Sequence, residues 1–180
     1  MKIWDQDKYL EAWNYVSTIH NGQKIPGSDI PYINHLALVA MEATATIATQ
    51  NIQNPNILIL CALLHDSIED TSATYKDIIK TFGTDIAEGV LSLTKNTELP
   101  SKSDQMKDSI SRIKRQPKEV WMVKLCDRIT NLQPPPKHWD KEKTSNYQNE
   151  ARYILAQLGE ASQFLADRLK MKITAYDQYL

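Results

Sequence analysis

Five glycines and two cysteines are few for a chain of 180 residues. So little glycine argues against a turn-rich β architecture and favours helix. The two cysteines, Cys61 and Cys126, lie in apolar runs. They read as reduced core thiols, with neither a disulfide framework nor zinc-type spacing. No apolar run approaches the roughly 18 residues of a membrane span, and the opening "MKIWDQDKYLEAW" is charged and amphipathic, unlike a leader. An excess of either charge is also lacking: 21 basic and 22 acidic side chains leave a formal net charge of −1. That balance gives no electrostatic case for a nucleic-acid or membrane partner, while leaving room for a local basic pocket that takes a phosphorylated small molecule. Nothing directs the chain out of the cytosol, so the expected location is cytoplasmic. The length suits one domain over residues 1–180 with a real core.

What the chain does have is helical period almost throughout. Asp5 can cap a helix over 5–20, in which Tyr9, Leu10, Trp13, Val16 and Ile19 recur at helical spacing. "NGQKIPGSDIP" reads as a loop, and a second helix follows over 32–48. Asn54 as cap and Pro55 at the first position open a third helix, which runs through "NILILCALLHDSIED" to about Thr71. Ser72 or Thr74 caps the next helix and Gly83 closes it. "TDIAEGVLSLTK" and residues 104–115 are amphipathic, and Pro117 starts a helix that the triple proline 134–136 ends. Over 146–178 a single long helix is expected, its stripe running from Tyr147 to Tyr176. That broad stripe suits core packing, although a homo-oligomer stays open. The fold class is all-α.

The chemistry concentrates in "CALLHDSIEDTS", residues 61–72. His65 and Glu69 are four apart, as are Asp66 and Asp70, so a continuous helix would carry two parallel rows of ligand-type groups. Carboxylates that close repel one another unless a cation sits between them. Imidazole with carboxylates and no thiolate suits manganese, iron or zinc rather than a structural zinc site. Further ligands must come from other helices. His35 in "PYINHLALVA" and Asp127 in "WMVKLCDRITNL" qualify, since an acid inside an apolar run is costly unless paired or metal-bound. His20 and His138, at a loop edge and after the prolines, are weaker candidates.

The segments "HNGQ…PYINHLALVA", "ALLHDSIEDTSATYKDIIKTFG", "LTKNTELP" and "VKLCDRITNL", over about residues 20–132, resemble the HD-domain phosphohydrolases. More narrowly they resemble the hydrolase domain of the RelA/SpoT-type enzymes and the stand-alone small alarmone hydrolases, metazoan SpoT homologues among them. The resemblance implies an HD-domain helical bundle with one divalent metal, usually manganese with iron, cobalt or zinc as alternatives, on His35, His65, Asp66 and Asp127. It places Glu69 and Asp70 beside the attacking water and Asn131 on the substrate. The implied reaction removes a 3′-pyrophosphate from guanosine tetra- or pentaphosphate. Lys24, Lys124 and Arg128 are then candidates to offset phosphate charge, with Lys95 and Lys102 as further ones.

Three departures from the family pattern stand out. The loop after "GQ" carries Lys24-Ile25 where the family usually has Arg, often followed by Lys. An ammonium cannot supply a guanidinium's stacking or its bidentate fork, which leaves the base of the nucleotide open. Leu36 stands where Pro usually follows the metal histidine, and "CDR" replaces the commoner "ADR" or "ADK". The rival expectations are an HD-type nucleotidase acting on deoxynucleotides and a non-catalytic nucleotide-binding domain.

Overall fold

The computed structural model describes residues 4–180. These form α1 (Gln6–Ile19), α2 (Ile33–Thr49), α3 (Pro55–Leu64), α4 (Ser67–Asp70), α5 (Tyr75–Phe82), α6 (Thr84–Leu93), α7 (Lys102–Ile113), α8 (Lys118–Asn131), α9 (Lys141–Leu158) and α10 (Gln163–Tyr176). No strand occurs among the described residues, and an isolated bridge pairs Lys24 with Pro31. No helix among them is long and apolar enough to cross a membrane.

The centre is built by α3 and α8. Eight of the ten residues of α3 are buried, so a helix this apolar on every side has to lie inside. It packs against α1, α2, α6 and α8. Eleven of the fourteen α8 residues are buried, among them the charged Glu119, Lys124, Asp127 and Arg128. One buried cluster runs from Ala12 to Tyr176. Cys61 and Cys126 are both buried and unbridged within it, and burial, helped by the Glu119 charge, pushes the Cys61 thiol up to about 12.

Local chemistry explains most helix ends. Asp5 accepts from the backbone N–H groups of Asp7 and Lys8. Thr74 and Asp77 form a capping box, and Gly83 takes φ +85° to end α5 and admit α6. Three threonines near the end of α2 lower its propensity, yet the helix reaches Thr49. Thr44, Thr46 and Thr49 donate their hydroxyls to carbonyls one turn back, at 2.8–2.9 Å. Asn54 does not cap α3 with its side chain. Instead its backbone N–H donates to Glu119 Oε1 on α8 at 2.8 Å, tying the two central helices together.

Two of the expected helices are interrupted. The helix expected to reach Thr71 stops at Leu64 and resumes as the single turn α4. The long helix expected over 146–178 is two helices, parted by a 3₁₀ turn at Gly159–Ala161. Ser162 is extended there and its hydroxyl caps α10 at Leu165 N–H. The start also moves forward, because Asp140 caps α9 through Lys143 N–H. Even so, Ala151, Ile154, Leu158, Leu165, Leu169, Ile173 and Tyr176 of the expected stripe are all buried. Arg168 on α10 meets the buried Glu42 on α2 with two guanidinium N–H donors, at 2.5 Å each.

Gly89 sets how closely α6 approaches α3 and α8. A Cβ at this position would lie 2.7 Å from Cys61 Sγ and 3.2 Å from a Val120 methyl. Gly89→Val should therefore destabilise the protein by about 1–3 kcal/mol through overpacking, which lowers the thermal midpoint by roughly 2–12 °C. An unchanged midpoint would mean that α6 moves away from α3 without cost.

Candidate metal centre

The interruption after α3 shapes the site. Neighbouring residues on a continuous helix point about 100° apart. At this junction His65 keeps helical dihedrals while Asp66 leaves them, at φ −98° and ψ 0°. The two side chains can then converge, with His65 Nε2 2.8 Å from Asp66 Oδ2. The expectation of two parallel rows on one helix is corrected accordingly. Asp66 and Asp70 stay one turn apart, joined by the Asp70 N–H to Asp66 carbonyl bond at 2.9 Å. Glu69 turns away to accept from the backbone N–H and the ammonium of Lys95, at 2.9 and 2.7 Å.

His35 arrives from the first turn of α2 and Asp127 from the buried stretch of α8. His35 Nε2 lies 3.3 Å from His65 Nε2, 3.5 Å from Asp66 Oδ2 and 3.5 Å from Asp127 Oδ1. His65 Nε2 is 3.8 Å from the same Asp127 oxygen. Potential donor atoms of His35, His65 and Asp127 lie within 4.8 Å of one another, and all three residues are buried. Two imidazole nitrogens and two carboxylate oxygens, with no thiolate, fit a borderline or hard divalent cation.

His65 and Asp127 are oriented by further contacts. His65 Nδ1–H donates to the Ala62 carbonyl at 2.9 Å, which turns Nε2 toward the cluster. Lys124 donates to Asp127 Oδ2 at 3.0 Å, while Asn131 donates to Oδ1 at 2.5 Å. Burial opposes charge on both acids. The His65 imidazole beside Asp66 and the Lys124 ammonium beside Asp127 overcome it and hold both carboxyls below the usual range. Burial likewise opposes a charge on His65, but Asp66 and Asp127 outweigh it and raise that imidazole to about 9. Asp70 shifts upward from burial and from the Asp66 charge.

A cavity of about 710 Å³ opens beside Asp127 between α7, α8 and α9. Lys95, Lys102, Lys124, Arg128 and Lys143 line it alongside the acids Asp127, Asp140, Glu142 and Glu150, and Trp139 and Tyr147 supply aromatic surface. Its size is that of a small-molecule site. The structure thus brings the sequence candidates Lys124, Arg128, Asn131, Lys95 and Lys102 together on one wall. Arg128 lies with its guanidinium carbon 4.4 Å above the Tyr147 ring and one nitrogen 3.3 Å from Glu150. Lys24 is not brought in: it pairs with Asp29 at 2.6 Å, in the exposed part of the 21–31 loop, and does not line the cavity.

Sequence reasoning missed Tyr32, whose hydroxyl donates to Asp66 Oδ2 at 2.6 Å. Its place three residues before His35 was the available signal. It also missed Trp139 and Lys143, which precede the helix start expected at residue 146, and Tyr147, which was read only into the core stripe.

Comparison with known proteins places this geometry in a group. The family model described as HD domain matches residues 12–163. The guanosine-3′,5′-bis(diphosphate) 3′-pyrophosphohydrolase MESH1 of Drosophila melanogaster is 27% identical over 154 residues, which cover 82% of each chain. The protein of the same name from Mus musculus is 27% identical over 166 residues, covering 89% of this chain and 90% of that one. A solved structure of a metazoan ortholog of SpoT, described as hydrolysing ppGpp, superposes with a TM-score of 0.82. At 24% identity it covers 99% of this chain and all of its own, and it shares the fold.

Metal binding to this cluster should depend on pH in a defined direction. His65 holds its extra proton below about 9, whereas ligation needs the neutral Nε2. Protons therefore compete with the ion, and the apparent Mn²⁺ affinity should rise with pH from the acid side and level off above about 9. Competition against a chromophoric chelator measures this. A flat profile would exclude His65 from the ligand set.

Proposed function

The chain belongs to the HD domain family, and on that premise we propose that it is a metal-dependent phosphohydrolase, one that removes the 3′-pyrophosphate of a purine nucleotide of the guanosine tetra- or pentaphosphate type. The observation that carries the reading is the convergence of His35, His65 and Asp127, with Asp66 against both imidazoles, beside a cavity that several lysines and an arginine line. The relatives named as 3′-pyrophosphohydrolases support the choice of substrate.

The four residues would hold one divalent ion, manganese in first place, with iron, cobalt or zinc as alternatives. Such an ion supplies Lewis acidity toward a phosphoryl oxygen and acidifies water. The remaining work falls to the chain. Both Glu69 oxygens are engaged by Lys95, so Glu69 acts as an anchor. Asp70 is open to water one turn after Asp66, so it takes the proton of the attacking water. Lys124, Arg128, Lys95 and Lys102 offset phosphate charge along the cavity wall, and Asn131 meets the substrate next to Asp127. Lys24 stands apart from this wall. Trp139 offers the base a flat surface, and stacking of that kind tolerates either purine because every base has a π-face.

With manganese present, guanosine tetraphosphate and its adenosine analogue should both release pyrophosphate. Release of orthophosphate alone, or turnover confined to deoxynucleotides, would replace this reading with a nucleotidase, and tight binding without turnover would make the protein a nucleotide sensor. Asp70→Asn should lower kcat by about 10²–10⁴ while metal content is kept, with a smaller loss for Glu69→Gln. Equal activity in Asp70→Asn and the parent would remove Asp70 as the base.

A further inference from the structure

Asp66 is the ligand with the least helical support, since it sits in the interruption between α3 and α4. One of its oxygens, Oδ2, carries every contact that matters. It lies 2.8 Å from His65 Nε2, 3.5 Å from His35 Nε2 and 2.6 Å from the Tyr32 hydroxyl. The same hydroxyl lies beside Asp70, the residue assigned as base.

Tyr32 is in turn held on several sides. Its backbone N–H donates to the Gln23 carbonyl at 2.9 Å, closing the 21–31 loop back onto the start of α2. Its carbonyl accepts from His35 N–H at 2.8 Å. Its ring stacks on His20, with centroids 5.3 Å apart and planes 18° from parallel. His20 is only 3% exposed, and its Nδ1–H donates to Gln23 Oε1 at 2.6 Å. "HNGQ" and the tyrosine of "PYINH" therefore form one structural unit that ends on a carboxylate of the metal centre.

We propose that Tyr32 is a positioning residue for the metal centre: its hydroxyl fixes Asp66 Oδ2 for the cation, and the His20–Gln23 pair fixes the Tyr32 ring. The inference rests on the reading of the cluster as a cation site and adds residues that contribute no ligand atom. A carboxylate ligand that accepts a hydrogen bond from a rigid donor is held in one orientation, and loss of such a partner typically costs about 10–100-fold in metal affinity. A buried phenol also needs a partner simply for its own stability. The two roles differ in what the loss of the hydroxyl changes.

Tyr32→Phe in the full chain tests this without any nucleotide. Mn²⁺ affinity is read by chelator competition, and the thermal midpoint is read on the metal-stripped protein. Tyr75→Phe serves as control, because the Tyr75 hydroxyl bonds Glu88 and is remote from the cluster in its partners. The expected result is a loss of affinity of about 10–100-fold in Tyr32→Phe, with an unchanged midpoint and no loss in Tyr75→Phe. Equal affinity in Tyr32→Phe and the parent overturns the proposal. So does a midpoint that falls in step with affinity, which would make Tyr32 a packing residue. A parent protein that takes up no Mn²⁺ overturns the cation site itself, a failure distinct from the other two.

Discussion

Two carboxylates and two imidazoles crowd into a space only a few ångströms across at the buried end of α3, and the surrounding helices hold them there against their own desolvation. Asp127 stays charged although only 8% of it is exposed, because Lys124 pairs with one of its oxygens and the histidines face the other. Apolar surroundings alone would drive these acids toward the neutral form. On the proposed reading a cation shared by these donors would offset that cost, which accounts for His-Asp at the end of the apolar α3 and for Asp127 in the core of α8.

The interruption at His65–Asp66 makes the cluster geometrically possible. An unbroken helix would splay the two side chains, whereas here both meet the His35 ring nitrogen. The chain gives up an intrahelical run and brings two candidate ligands from adjacent positions together. Around this point α8 serves two purposes. Its inner face supplies Asp127 and the residues that orient it, and its outer turn lines the cavity with Arg128 and Asn131. Arg128, over the Tyr147 ring, links α8 to α9 on the cavity wall. Fold and site therefore share the same side chains.

The legible parts of the sequence were those with strong local causes. Asp5, Thr74, Gly83 and Pro117 mark helix ends because caps and fixed dihedrals act within a few residues. The side chains that converge, His35, His65, Asp66 and Asp127, were legible as a group because charge inside apolar runs needs a reason. The interruptions at Asp66 and Gly159–Ser162 were hidden by hydrophobic period, which passes unbroken across both. In the second case Gly159 and Ser162 were usable stop and cap signals, outweighed by the stripe from Tyr147 to Tyr176. Tyr32 was hidden for a different reason. Its partner Asp66 is 34 residues away, and nothing local reports that contact. Lys24 was read toward the site from its place in the loop, and in this structure it meets an exposed neighbour, Asp29.

If side chains from α2, the α3–α4 junction and α8 share one cation, removing the α8 member, Asp127, should empty the site. Metal content of Asp127→Ala and of the parent, purified side by side in manganese and measured by elemental analysis, tests it directly. About one ion per chain in the parent and close to none in the folded variant is the predicted result. Full occupancy in Asp127→Ala would contradict the shared site.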